Sequence, residues 1–450
     1  MGLCQDPHPG ISNVEKRGCP PGHSRPPLME AFIPSPTVGR SMVHSFCLEC
    51  RGVRDMCKQG RCELLDAVRA RIPRIRPVGR VIEGPSPPDV FVGQYGYPRV
   101  GVGPLVPPSE VAGDAPLLGS VQDLVAAPIE DVVAFRSLLF HTRQPAPVSV
   151  RRAPPRILDL AREVALSTRP VDTEVQLTRA PPARLTANLD PFAAPMGPGV
   201  EAERGRVVGR AVVPRKVDAL VGDTDATATV AARELFSSGV GEDHILRLFS
   251  VGLLGKGTTR RLVPTRWSIT AVDDILSKGM AERVRTMQEL GETRLHSSVL
   301  KGNHFHVLLL PRPWAFEMIE AWLRGSLWAA GDAMVGDREG HEGRSDYARN
   351  VTGAYYSARL AVLEHLVGLQ RQASAVVYRE VTEDYWAPLG VWVIREGVRA
   401  AMREPPGRFP DITSAVAEVT SRVRIKGWRR RAQHITDALA QRRLEDFAEG

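Results

Sequence analysis

The chain has 450 residues, 43% hydrophobic and 24% charged, which excludes a wholly disordered polymer and predicts a packed body of two or three domains. Lysine plus arginine number 59 against 51 acids, a net charge of +8, and no run of about 18 apolar residues exists to cross a membrane. The basic excess is modest overall but clustered, which favours a polyanionic partner such as nucleic acid.

Residues 1–40 are rich in Pro, Gly and Ser without hydrophobic period and read as a flexible tail. No apolar core of a signal peptide precedes them, so a cytoplasmic protein is expected. In residues 41–80, Cys47, Cys50, Cys57 and Cys62 are spaced Cys-x2-Cys-x6-Cys-x4-Cys. Zinc takes four tetrahedral thiolate ligands, and four ligands leave no open position, so the spacing predicts one structural zinc ion. Gly52 and Gly60 permit tight turns beside the ligand pairs. A helix is expected from Glu63 to Arg71. Around it, Arg51, Arg54, Lys58, Arg61, Arg74 and Arg76 form a basic flank suited to phosphate oxygens.

Residues 81–225 form a Pro/Gly-rich part of the body, with strands at Val90–Gly93 and Tyr97–Val102, helical pieces over 120–180 and an insertion near 180–205. Residues 226–435 form an α/β part. Its expected helices are a pair over 226–254 meeting at Gly239 and Gly241, then 314–328 and 355–371, with strands at 267–272, 304–310 and 375–378. A helical region follows from Asp411. The predicted fold is a mixed α/β (α+β) body with an N-terminal Cys4 zinc module and a C-terminal helical region.

Arg424, Lys426, Arg429 and Arg430 make a second basic run around Trp428, read as phosphate contacts with a stacking platform. Arg266, Asp273, Asp274, His304 and His306 are candidates for a phosphate-binding or acid/base cleft, with His304 and His306 on one face of a strand. Gly252-x2-Gly255-Lys256-Gly257-Thr258 imitates a phosphate loop, but Ser250 replaces its first glycine and the preceding segment reads as helix.

Several longer motifs carry a family resemblance. They are Cys47-Leu48-Glu49-Cys50-Arg51-Gly52 with Met56, Cys57 and Cys62, Gly84 to Pro88, Val90 to Gly93, Gly96 to Pro98, Val102 to Pro108, Leu262 to Asp274 and Tyr385 to Trp392. Together these resemble the archaeal Nre DNA-repair proteins over about 40–450. The resemblance implies a DNA-damage response role, nucleoid association in an archaeal cell and binding to the sliding clamp PCNA, and it assigns no catalytic activity. Residues 436–450 then resemble a PCNA-interacting peptide, with Gln441, Leu444 at +3 and Phe447 at +6. In a 3₁₀ turn Leu444 and Phe447 share a face that would plug a hydrophobic pocket. Ala448 stands where a second aromatic is usual, which predicts weaker affinity. The expected function is a DNA-binding repair factor recruited by PCNA. The alternatives are a nucleic-acid-modifying enzyme at the Arg266/Asp273/His304/His306 cleft and a clamp-tethered adaptor that does not touch DNA.

Overall fold

The computed structural model describes residues 43–52, 54–72, 79–108, 120–149, 156–181 and 187–440. The chain builds two six-stranded mixed sheets. The first holds β1 (Val81–Ser86), β2 (Val90–Val92), β3 (Arg99–Val106), β4 (Phe140–Pro147), β5 (Val171–Leu177) and β6 (Gly199–Val208), ordered β1-β5-β6-β4-β3-β2. Only β4 and β6 pair in parallel there. The second holds β7 (Thr293–Leu300), β8 (Asn303–Leu310), β9 (Ala315–Trp322), β10 (Ala333–Glu339), β11 (Ser374–Val381) and β12 (Gly407–Phe409), ordered β10-β9-β11-β8-β7-β12. Its one parallel pair is β9 with β11.

The helices are α1 (Cys47–Cys50), α2 (Glu63–Arg69), α3 (Val121–Ala126), α4 (Ile129–Ser137), α5 (Arg156–Leu166), α6 (Arg215–Gly222), α7 (Ala228–Ser237), α8 (Glu242–Ser250), α9 (Thr265–Val284), α10 (Gly353–Leu369), α11 (Trp392–Arg403), α12 (Ile412–Arg422) and α13 (Gln433–Ala440). The first sheet follows simple patterning. In β5 the residues Val171, Thr173, Val175 and Leu177 are buried and their neighbours are not, the period of a half-covered strand. Its core includes Ile157, Leu160, Ala161 and Val164 of α5, spaced to form one helical face. In the second sheet, alternate residues of β8 serve two cores. Phe305, Val307 and Leu309 join the helical side with α9, α10 and α11, while Leu308 and Leu310 join Val416, Val419, Trp428 and Ile435 on the other.

Three expectations are corrected. Residues 267–272 are helical: Pro264 caps the 20-residue α9, and the continuous helix outweighs the short β-branched stretch. Residues 315–322 are strand rather than helix. β9 is central and covered on both faces, so its apolar run lacks the alternation that marks a strand. The 120–180 region contains α3, α4 and α5 but also β4 and β5. The expected strands at 304–310 and 375–378 and the helix pair joined at Gly239 to Gly241 are present.

Candidate nucleic-acid interface

The cysteine module begins as a single turn, α1, ended by left-handed backbone at Arg51 (φ 47°) and Gly52 (φ 72°). Cys47 and Cys50 are buried, Cys57 and Cys62 half-buried, and all four are free thiols. A side chain on Gly52 would meet Leu65 at 2.7 Å and the Cys62 Sγ at 3.3 Å, so glycine is required for the chain to close over the thiols. Burial pushes the Cys47 thiol up, the His44 backbone amide opposes it, and Cys62, Cys50 and Cys57 add to the rise. Among the described residues, no three potential ligands are assembled into a coordinating array.

The module leans on the body. Arg51 donates to Glu320 at 2.8 Å, and the same carboxylate pairs with Arg379 of β11. Arg69 of α2 bonds Asp66 at 2.7 Å and the Ala187 carbonyl at 3.1 Å. Beside this contact opens a cavity of about 480 Å³, within the ~300–1,000 Å³ of ligand pockets. Its walls come from Gly52 and Arg69, from the β2–β3 turn, from β4, from residues 187–190 and from the start of α9. Arg69, Arg143 and Arg266 face it against one carboxylate, Asp190, which already accepts from the Phe192 and Ala193 amides. Arg266 stacks on Phe192 with 4.0 Å from guanidinium carbon to ring centre. Among the described residues neither Arg143 nor Arg266 has an ion pair. Arg143 lies across Gly101 and Gly199, where a Cβ would stand 3.1 and 3.2 Å from it. His141 hydrogen-bonds the Phe91 carbonyl through Nε2 at 3.0 Å, so that nitrogen carries the proton and Nδ1 is an acceptor. Burial, with Arg143 adding, lowers His141 to about 3 and keeps it neutral.

A smaller cavity of about 120 Å³ lies on the other side of Phe91 and Phe192. Its charged groups mostly satisfy one another. Arg136 pairs with Asp89 at 2.7 Å, and Arg395 grips Asp273 at 2.8 and 2.9 Å and Glu242 at 3.4 Å. Enclosure and the neighbouring Glu242 raise Asp243 to about 6, against the pull of Arg395, although 40% of the side chain meets solvent within the cavity.

The proposed acid/base cleft does not form. Asp273 is buried on Arg395 and Ser357, and Asp274 pairs with Arg359 and Lys278, so both carboxylates are engaged in holding helices together. His306 lies beside Ser297, Nδ1 to Oγ 2.9 Å, and Tyr378, on the sheet face opposite α9. His304 follows it by period two, so the sheet separates both imidazoles from Asp273. Arg266 alone of the set faces the larger cavity.

Trp428 is fully buried and donates to Thr420 at 3.0 Å, so it cannot stack a base. Lys426 caps the end of α12 through the Thr420 and Ser421 carbonyls. Arg429 and Arg430 are exposed, and Arg424 is held 3.6 Å from Glu383. Arg51 is committed to Glu320, whereas Arg54 pairs with Glu49 at the surface, Arg61 approaches Asp66 at 3.7 Å and Lys58 is exposed. Arg74, Arg76, Gln441, Leu444 and Phe447 lie outside the described residues. Arg143, His141 and Tyr95 escape sequence reasoning because no motif contains them. The signal that points there is the glycine set Gly93, Gly101 and Gly199, where backbone lines a cavity.

The profile of the archaeal Nre N-terminal domain matches residues 56–329, and that of the Nre C-terminal domain matches 339–447. The chain belongs to the archaeal Nre family. This Nre chain is 35% identical to DNA repair protein NreA of Archaeoglobus fulgidus over 391 residues, 86% of this chain and 96% of the relative. It is 37% identical to DNA repair protein NreB of the same organism over 355 residues, 78% and 87% of the two chains. It is likewise 37% identical to DNA repair protein NreA of Haloferax volcanii over 349 residues, 76% and 83% of the two. No solved structure matches the Nre chain. Among its described residues, no helix is long and apolar enough to cross a membrane.

Proposed function

We propose that this Nre-family chain is a DNA-repair factor that binds nucleic acid and is brought to its substrate by PCNA through residues 441–450. The observation that carries the reading is the match to relatives named as DNA repair proteins over 83–96% of their length. The cavity lined by Arg143 and Arg266 supports nucleic-acid binding, because guanidinium forks without ion pairs among the described residues suit phosphate oxygens. For the clamp peptide, the support is positional. α13 is anchored through the buried Ile435 and Ala438, Leu439 is exposed, and the Gln441 motif follows the described part of the helix in sequence. A tether of that kind raises local concentration at the clamp without new contacts to DNA.

Cys47, Cys50, Cys57 and Cys62 would hold one zinc ion as a structural clip. Metal analysis is expected to give about one equivalent per chain. Less than about half an equivalent, with all four thiols titratable, would refute the clip. The recruitment reading is tested by deleting residues 441–450: PCNA binding is expected to vanish, and unchanged binding would refute it. DNA affinity is expected to fall steeply with salt. Absence of DNA binding would leave a clamp-tethered adaptor.

A further inference from the structure

The larger cavity is lined by the Tyr95 ring, and two more exposed rings stand one or two positions from its lining residues. Tyr95 is 79% exposed in the turn after β2, Tyr97 is 47% exposed two residues on, and Trp267 is 46% exposed in the first turn of α9. The Tyr97 and Trp267 rings lie 5.3 Å apart at 48°, a pair held together at the surface. Arg266 and Trp267 are adjacent in the helix, so their side chains diverge by about 100°. Arg266 lines the cavity and stacks on Phe192, whereas Trp267 meets Tyr97 at the surface beside it in the chain. Gly96, with φ 81°, makes the turn between the two tyrosines, and a Cβ there would strike the Arg99 carbonyl at 2.7 Å. The turn is therefore fixed by backbone rather than by flexible side-chain packing.

Charge and shape narrow the ligand. Arg143 and Arg266, without ion pairs among the described residues, line the cavity together with the Tyr95 ring, and the Tyr97–Trp267 pair stands on neighbouring residues. A phosphate bound to a planar heterocycle matches that set, since arginine forks take phosphate and aromatic rings stack any base. A paired base keeps its faces inside the duplex stack, so only an unpaired one can use the rings.

We propose that this cavity receives a single unpaired nucleotide of a nucleic-acid strand, with phosphate at Arg143 and Arg266 and base stacking on Tyr95, Tyr97 and Trp267. The proposal rests on the reading of the chain as a DNA binder and adds which DNA: single strands, or duplexes with an extruded base.

The test uses full-length protein and three oligonucleotides of one sequence: a perfect duplex, a duplex with one bulged position, and the single strand. A fluorescent adenine analogue occupies the bulged position. The expected result is that the bulged duplex and single strand bind about tenfold tighter than the perfect duplex, with the analogue's emission quenched by stacking. Trp267→Ala and Arg143→Ala are each expected to weaken binding of those two DNAs about tenfold and the perfect duplex by markedly less. If Trp267→Ala fails to fold, Tyr95→Ala, at the most exposed ring, carries the same expectation. Retained DNA binding with no loss in any variant, or with equal loss on all three DNAs, would overturn the nucleotide site while leaving the DNA-binding reading intact. A free deoxynucleotide competing as well as the oligonucleotide would overturn the strand as its source. Wild-type protein that binds none of the three overturns the DNA-binding reading and this proposal with it.

Discussion

Around the C-terminal sheet, arginines are paired and mostly buried. Arg359 bonds Glu339 at 2.6 Å and Asp274, Arg379 bonds Glu320, Arg395 bonds Asp273, and Arg399 bridges Glu242, Glu364 and Glu396. Beside the N-terminal sheet, Arg143 and Arg266 have no ion pair among the described residues and face an open cavity. The same side chain is an internal strut in one region and is left facing a cavity in the other. Position relative to carboxylates decides which, and counting charges along the sequence cannot.

The sharpest break of this comparison is Arg395→Ala. It leaves Asp273 buried without its arginine, while Glu242 keeps Arg399, and is expected to cost about 3–5 kcal/mol, read by chemical denaturation. Trp428→Ala is expected to cost a similar ~3–5 kcal/mol by opening the core on the far face of the second sheet, whereas Trp267→Ala is expected to change stability by no more than about 0.5 kcal/mol.

An intermediate effect concerns acid. The His141 pKa in the fold lies near 3, below its ordinary value of 6.5, so unfolding takes up a proton below that pH. Its stabilising contribution is complete above about pH 6.5 and declines as pH falls toward 3, by up to ~1.4 kcal/mol per pH unit. His141→Gln is expected to flatten the acid limb of a stability–pH curve by about one proton.

Asp243 runs the other way. Raised to about 6 in the fold, it favours the folded state below its ordinary 3.8 and loses that contribution as pH rises through 6. Asp243→Asn is therefore expected to stabilise at pH 7, by no more than ~1 kcal/mol because solvent screens the exposed part of the group. The smallest effect is expected for Arg143→Ala, within about 0.5 kcal/mol of wild type in stability, since it breaks no ion pair. A larger loss there would show that Arg143 supports the fold.

Legibility in the sequence tracked local rules. The helix pair meeting at Gly239 to Gly241 and the strand at 304–310 were readable because turn residues and apolar period lie within one window. β9 was not readable as a strand, because cover on both faces removes the period. At the candidate interface, the polar, aromatic setting of Arg266 singled it out in the sequence, and it lines the cavity. Arg143 was not, because its role depends on Gly101 and Gly199, distant in the chain, bringing bare backbone beneath it. Asp273 misled for a related reason: its partners Ser357 and Arg395 are 84 and 122 residues away, so the sequence cannot reveal that the carboxylate is already engaged.

Glu320 is held from two sides, by Arg379 within the central strand pair and by Arg51 from the cysteine module. Lifting the module away would strand a buried carboxylate with half its compensation, so partial melting of that end is penalised from within the body. The module and the C-terminal sheet are thus coupled into one cooperative unit, and loss of the thiol cluster's order should be felt as lowered protection of β9 and β11 amides against hydrogen exchange.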